Sequence, residues 1–360
     1  MKREIKHATV VITGASSGIG RAIALEFARE QAHLILAARN EENLMEITQE
    51  CQRLGAKAIA VPTDTTDLSA MQKLAQTAFE QFDNKIDVWV NNAGIGTVGA
   101  FTETPLESHV QVVRTNLLGY MNGCYAVLPF FKDQGHGVVI NLNSLGAWIP
   151  LPYASGYSAS KFGLLGFMEA LRGELANQAD IHICDLYPVS VDTPGFQHAG
   201  NYTGSTLKPV PPLIAPEVVA KHAVALARSP KAQTTLGWPT YFARVGYTLF
   251  PKLSRNLVGQ MFREYFQIGS PSPVTEGHIF ESHRERGRVS DGHLKTQDRL
   301  SSSGLGLKPA VTAGGAALLA LAFGTGIYFA TRKPKAASLE NPAAGDGPRE
   351  ELNALRRKLG

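Results

Sequence analysis

Thr9-Val10-Val11-Ile12-Thr13-Gly14-Ala15-Ser16-Ser17-Gly18-Ile19-Gly20 is the stretch that decides the fold. A β-branched run enters a glycine turn, and Arg21 to Gln31 then has a helical pattern, with Ile19, Ile23 and Phe27 four residues apart. Gly14 permits a tight turn, Gly18 lets backbone approach a pyrophosphate, and Gly20 allows a helix to sit close on a strand. The N-terminus of the helix offers unpaired N–H groups and partial positive charge to phosphate. A glycine-rich turn alone is weak evidence, but between a strand and a helix it points to a dinucleotide site.

Working outward, strand-like and helix-like stretches alternate. Leu34 to Ala38, Ala58 to Val61, Val88 to Val90, Val138 to Leu142 and Ile181 to Leu186 are short apolar strands. Glu41 to Leu54, Leu68 to Phe82 and Glu217 to Arg228 are helical. Continuous apolar strands joined by helices predict an α/β fold, a Rossmann-like doubly wound parallel sheet with helices on both faces. Residues 194–216, rich in Pro, Gly, Ser and Thr, read as a lid, and the aromatic, basic residues 240–266 read as a C-terminal helical extension near the site. Together, residues 1–270 form the expected catalytic domain. Residues 271–308 are polar and read as a linker.

Within 309–331, Ala310 to Ala330 carries no charge and is long enough to span a bilayer as a helix. The expectation is a membrane anchor, the other readings being a docked helix or an Ala/Gly-rich tail. Lys308 and Arg332-Lys333 flank both ends, so charge does not set the topology. Residues 332–360 form a polar tail. At 360 residues and net charge +4, without a dense basic stripe interleaved with aromatics, the chain gives no sign of nucleic-acid binding. Cys51, Cys124 and Cys184 are far apart and lack metal-ligand spacing, so a reduced, cytoplasmic setting is expected for the catalytic domain. Met1 to His7 is charged and leads into the first strand rather than reading as a signal peptide.

Two further features bear on chemistry. Ala38 and Arg39 stand at the end of the second strand, where an acid would favour NAD. Arginine there suits a 2′-phosphate, so NADP(H) is expected over NAD(H), unless Arg39 caps a helix or stacks on adenine. Tyr157 and Lys161 are four apart on one helical face. A nearby ammonium favours the phenolate, so the pair is expected to tune Tyr157 for proton transfer to or from a substrate oxygen.

The ordered set resembles the short-chain dehydrogenase/reductase family over roughly residues 7–230: Thr13-Gly14-x-x-x-Gly18-x-Gly20, Asp64, Asn91-Asn92-Ala93-Gly94, Asn116, Ser144, Tyr157 and Lys161. The resemblance implies catalytic roles for Asn116, Ser144, Tyr157 and Lys161. It implies a cofactor cleft made by Gly14, Ser16, Ser17, Gly18, Ile19, Gly20, Arg39, Asp64, Asn92, Ala93, Gly94, Tyr157, Lys161, Pro188, Val191 and Thr193. Asp64 is implied to meet the adenine edge, Asn116 to support a water chain to the lysine, and Ser144 to hold the substrate oxygen. One departure stands out, since Val189 occupies the place of the glycine that usually follows Pro188, and the backbone there is expected to bend differently.

The resulting expectation is an NADP(H)-dependent oxidoreductase interconverting a carbonyl and a secondary alcohol. Trp148, Ile149, Leu151, Pro152, Phe196 and Tyr202 suggest an apolar, lipid-like substrate. The alternatives are an epimerase or dehydratase of the same fold, or a non-catalytic NADP-binding scaffold. The resemblance also implies a homodimer or homotetramer.

Overall fold

The computed structural model describes residues 3–210, 212–282 and 286–294, with the side chains of 238–243 outside that description. Along the chain come β1 (Thr9–Thr13), α1 (Gly18–Arg29), β2 (His33–Ala38), α2 (Glu41–Arg53), β3 (Lys57–Pro62), α3 (Leu68–Gln81), β4 (Val88–Asn91) and the two-residue β5 (Thr97–Val98). Next are α4 (Leu106–Val113), α5 (Gly119–Gln134), β6 (Gly137–Leu142), α6 (Ser155–Glu174), β7 (Ile181–Pro188), β8 (Ser190–Val191), α7 (Gly195–His198), β9 (Gly200–Asn201) and β10 (Leu213–Ile214). The described part closes with α8 (Pro216–Arg228), β11 (Gln233–Leu236), α9 (Trp238–Leu249) and α10 (Pro251–Ile268).

The main sheet has seven parallel strands in the order β11-β7-β6-β4-β1-β2-β3. The strand order reverses between β1 and β4, so the chain leaves the sheet in opposite directions there and opens a crevice at the strand C-termini.

The two-residue period of β1 sends its side chains to opposite layers. Val10 and Ile12 pack with Ile23 and Phe27 of α1, Leu44 and Ile47 of α2, and Val219 and Val224 of α8. Val11 faces the other way, into a layer with Met71 and Leu74 of α3, Val127 and Phe131 of α5, and Leu164 and Met168 of α6. Burying each such side chain contributes about 1.5–3 kcal/mol. With apolar cover on both faces, the strands have no need of polar alternation, as their sequences foretold.

Helix α1 begins at Gly18, three residues before the periodicity at Arg21 announces it, because the glycine turn itself forms the first helical turn. Between α4 and α5, Arg114–Leu118 is a π-helical turn. The wider turn is a device seen often at functional sites, and here it carries the fully buried Asn116.

Residues 271–308 read as a polar linker, yet their described part lies against the catalytic body. Asn201 and Thr275 form an antiparallel bridge, and Ile279 is fully buried. The expected span at 309–331 and the tail at 332–360 lie outside the described residues. Among the described residues, no helix is long and apolar enough to cross a membrane.

Candidate active site

The glycine turn is fastened to the end of β4. Asn92 Nδ2 donates to the carbonyls of Thr13 (3.0 Å) and Gly14 (3.1 Å), while Thr13 Oγ1 accepts from the Asn92 amide at 3.0 Å. Gly14 and Gly18 have φ of +66° and +55°, a region that glycine enters without steric cost. Gly20 is needed for a different reason, since a Cβ there would meet the Gly14 carbonyl oxygen at 2.1 Å and Asn92 Nδ2 at 2.4 Å.

Gly14, Ser16, Ser17, Gly18, Ile19, Arg39, Asp64, Asn92, Ala93, Gly94 and Thr193 line one cavity of about 250 Å³ at the switch point. Gly20 lies beneath the turn. Asp64 holds its loop by accepting from the Thr66 amide and hydroxyl, both at 2.8 Å. A glycine turn at a helix N-terminus with a guanidinium on the same cavity fits a phosphate-bearing dinucleotide.

Pro188 closes β7, and Val191 pairs with Ile214 in a small second sheet. Val189 does not adopt the positive φ open to a glycine. Among the described residues, positive φ at non-glycines is found at His7, Gln31, Asp83, Asn84 and Tyr153. Val189 instead donates its amide to Leu236 O at 3.2 Å and buries its side chain in the core, so valine fits without strain.

Ser144, Tyr157 and Lys161 gather at the C-terminal end of β6 and on the first turns of α6. A Cβ placed on Gly146 would lie 3.0 Å from Tyr157 Cε1 and 3.5 Å from Ser144 Oγ, which fixes the closeness of serine and phenol. Ser144 Oγ also accepts from the Gly146 amide at 3.0 Å. Lys161 Nζ lies 5.8 Å from the Tyr157 ring centroid, and donates to the Leu142 carbonyl at 2.8 Å.

Asn116 links these residues to the cleft. Its Oδ1 accepts from the Ile95 amide and its Nδ2 donates to the Ile95 carbonyl, both at 2.8 Å, while Nδ2 also reaches Ser160 Oγ at 3.3 Å. Its direct partners are thus the cleft backbone and α6.

Electrostatically, the pair differs from the sequence expectation. Burial raises the Tyr157 pKa, and the hydrogen bond with Ser144 offsets only part of that. Burial also lowers Lys161 to about 7, with Asp185 pulling the other way. Desolvation dominates at Tyr157, so the phenol holds its proton near neutrality. A protonated phenol is the form that donates to a substrate oxygen.

Behind Lys161 lies a buried polar network that the motif reading passed over. Asp185 accepts from Arg172 Nη2 at 2.5 Å, from the Tyr187 hydroxyl at 3.1 Å and from Asn141 Nδ2 at 3.1 Å. Asn141 in turn accepts from Asn91 Nδ2 at 3.0 Å. Charged and amide residues inside apolar strands, such as Asp185 in Ile181–Pro188, were the available signal.

Of the apolar candidates, Trp148 lies beneath the Arg244 guanidinium at 3.5 Å, and its ring centroid is 5.2 Å from that of Tyr187. Tyr153, at φ +64°, meets Phe266 of α10 edge-on at 5.1 Å. The helical extension therefore packs against residues 148–153. Tyr202 is turned to Ser108, with hydroxyl oxygens 2.9 Å apart. The three cysteines are buried and unpaired, and burial pushes each thiol up to about 12.

Together, the doubly wound sheet, the phosphate-binding turn and the Ser/Tyr/Lys group define a nucleotide-dependent oxidoreductase. The profile of the family described as "short chain dehydrogenase" matches residues 8–202, and the chain belongs to that family. Among its relatives is "Uncharacterized oxidoreductase YxnA" of Bacillus subtilis (strain 168), 32% identical over 284 residues, covering 78% of this chain and 80% of the relative. "Ketoacyl reductase HetN" of Nostoc sp. (strain PCC 7120) is 33% identical over 301 residues, covering 81% of this chain and 98% of the relative. A solved structure of an alcohol dehydrogenase from the archaeon Thermococcus sibiricus, complexed with 5-hydroxy-NADP, superposes with a TM-score of 0.56 at 27% identity, covering 64% of this chain and 95% of that one.

Proposed function

We propose that the chain is an NADP(H)-dependent oxidoreductase that interconverts a carbonyl and a secondary alcohol, with Tyr157 as the general acid/base. The observation that carries this reading is the meeting of Ser144 and Tyr157 around Gly146, with Lys161 one helical turn away. The bound nicotinamide would supply or accept the hydride. Tyr157 donates its proton to the substrate oxygen in reduction and takes it back in oxidation. Ser144 bonds the same oxygen as charge develops on it, an interaction that strengthens in the transition state. Lys161, whose ammonium donates to the Leu142 carbonyl here, would hold the nicotinamide ribose hydroxyls when the cofactor is bound. Asn116 ties α6 to the cleft.

For the cofactor, Arg39 at the end of β2 favours the 2′-phosphate of NADP(H), and the solved relative's 5-hydroxy-NADP complex agrees with that choice. The apolar residues Ile149, Leu151 and Phe196 favour an apolar substrate, with residues 194–216 as its lid. We assign residues 1–270 to the catalytic domain. A homodimer or homotetramer is the expected assembly, which light scattering on the purified chain would test. The uncharged Ala310–Ala330 stretch would anchor the domain to a membrane, and fractionating cells that express residues 1–360 or 1–300 would test this. For the chemistry, stopped-flow NADPH oxidation with a panel of ketones is the direct experiment. Turnover of apolar ketones supports the reading. Tight NADPH binding with no oxidation by any ketone would favour a non-catalytic scaffold.

A further inference from the structure

Two groups expected to hold the dinucleotide's phosphates are bonded to the chain's own C-terminal segment. The Gly18 amide, at the pyrophosphate turn, donates to the Arg288 carbonyl at 2.8 Å. Arg39, at the 2′-phosphate position, donates to the carbonyls of Phe280 (3.0 Å), His278 (3.3 Å) and Glu281 (3.4 Å). Gly287 runs so close to the turn that a Cβ on it would meet the Ser16 carbonyl oxygen at 2.2 Å. His278, Glu281 and Ser282 wall the cleft, and its remaining volume of about 250 Å³ falls below the usual ligand-pocket range of about 300–1,000 Å³.

The two parts of this strap are held differently. The first is seated in the body, through the Asn201–Thr275 bridge, the bond from the His278 amide to the His198 carbonyl (2.9 Å) and the fully buried Ile279. The second, 286–294, is held mainly by polar contacts. The Gly287 amide donates to Asn43 Oδ1 at 2.9 Å, and Arg286 pairs with Glu46 at 2.9 Å. Asp192 accepts from Ser290 Oγ (2.7 Å) and from the amides of His293 (3.2 Å) and Leu294 (3.1 Å). Val289, partly buried, packs against the core.

We propose that residues 286–294 are an internal competitor of the dinucleotide, resting on the glycine turn and leaving it when the pyrophosphate binds. Residues 275–279 stay docked as the hinge, and the Arg39 side chain turns from the carbonyls of His278, Phe280 and Glu281 to the 2′-phosphate. The carbonyl of Arg288 presents a partial negative charge where a phosphate oxygen would sit. A charged phosphate makes hydrogen bonds roughly twice as strong as a neutral carbonyl does, so the dinucleotide can displace the strap. The strap in turn lowers apparent affinity by the fraction of time it rests on the turn.

This inference depends on dinucleotide binding at the proposed cofactor site, and the test separates the two. Full-length protein is compared with and without saturating NADPH by hydrogen–deuterium exchange, with NADPH affinity measured in parallel by fluorescence. Expected is faster exchange in peptides covering 286–294 on NADPH addition, with residues 275–279 still protected. In Gly287→Ala, whose methyl cannot coexist with the Ser16 carbonyl, the segment should exchange fast without NADPH, and affinity should rise by about tenfold. Binding with unchanged or slower exchange at 286–294, or weaker binding by Gly287→Ala, would overturn the strap inference alone and make the segment a fixed wall of the site. Absence of NADPH binding in both proteins would overturn the cofactor reading and this inference with it.

Discussion

Lys161 Nζ stands 5.8 Å from the centre of the Tyr157 ring and gives a hydrogen bond to the Leu142 carbonyl at 2.8 Å. Burial brings this lysine down from 10.5 to about 7. Between those values the unfolded chain binds a proton that the folded chain does not, so this contribution to stability increases as pH rises from about 7 toward 10.5. Its slope approaches about 1.4 kcal/mol per pH unit. Urea unfolding at pH 7.5 and 9.0 should therefore show wild-type protein gaining stability relative to Lys161→Met. Equal pH dependence in the two proteins would mean that Lys161 remains charged in the fold.

Ser144 sits beside the phenol, where the substrate oxygen is expected. Ser144→Ala should lower kcat by about 10²–10³-fold, the loss typical of one oxyanion donor. NADPH affinity should stay near the wild-type value. A change confined to KM would assign Ser144 to substrate binding.

Arg39 donates to the carbonyls of His278, Phe280 and Glu281 and is proposed to meet the 2′-phosphate. Arg39→Ala should weaken NADPH binding by about tenfold to a hundredfold, the worth of hydrogen bonds to a charged group. NADH, lacking the 2′-phosphate, should lose no affinity. An equal loss for both cofactors would place Arg39 at the adenine or in a purely structural role.

Gly20 and Gly166 make a matched pair of helical glycines. A methyl on Gly20 collides with the Gly14 carbonyl, whereas one on Gly166 in α6 meets nothing within 4 Å. Gly20→Ala should cost about 1–3 kcal/mol or more. Gly166→Ala should be neutral or stabilising by up to about 1 kcal/mol, through helix propensity. Thermal unfolding of the two variants measures both effects.

The sheet and the cleft were legible because each rests on local pattern. Apolar runs such as Leu34 to Ala38 can be buried on both faces only in a covered parallel sheet, and Gly14, Gly18 and Gly20 sit where backbone geometry demands glycine. Three features were not legible, each for want of a local signal. The π turn at Asn116 differs from an α-helix by a single residue of backbone slack. The upward shift of Tyr157 and the lowering of Lys161 depend on how deeply α6 is buried, which the spacing of four residues does not report. The docking of residues 286–294 depends on main-chain carbonyls and on Gly287, in a stretch whose composition reads as solvated linker. At Val189 the backbone stays out of the positive-φ region, which valine disfavours, so the side chain can turn into the core.

The most direct test of the account is Tyr157→Phe, measured by NADPH fluorescence titration and by stopped-flow NADPH oxidation with a ketone that the wild-type enzyme reduces. The account predicts cofactor affinity close to wild type and a reduction rate lower by about 10²–10⁴-fold, the contribution of a positioned general acid. A variant that reduces the ketone at the wild-type rate would contradict it.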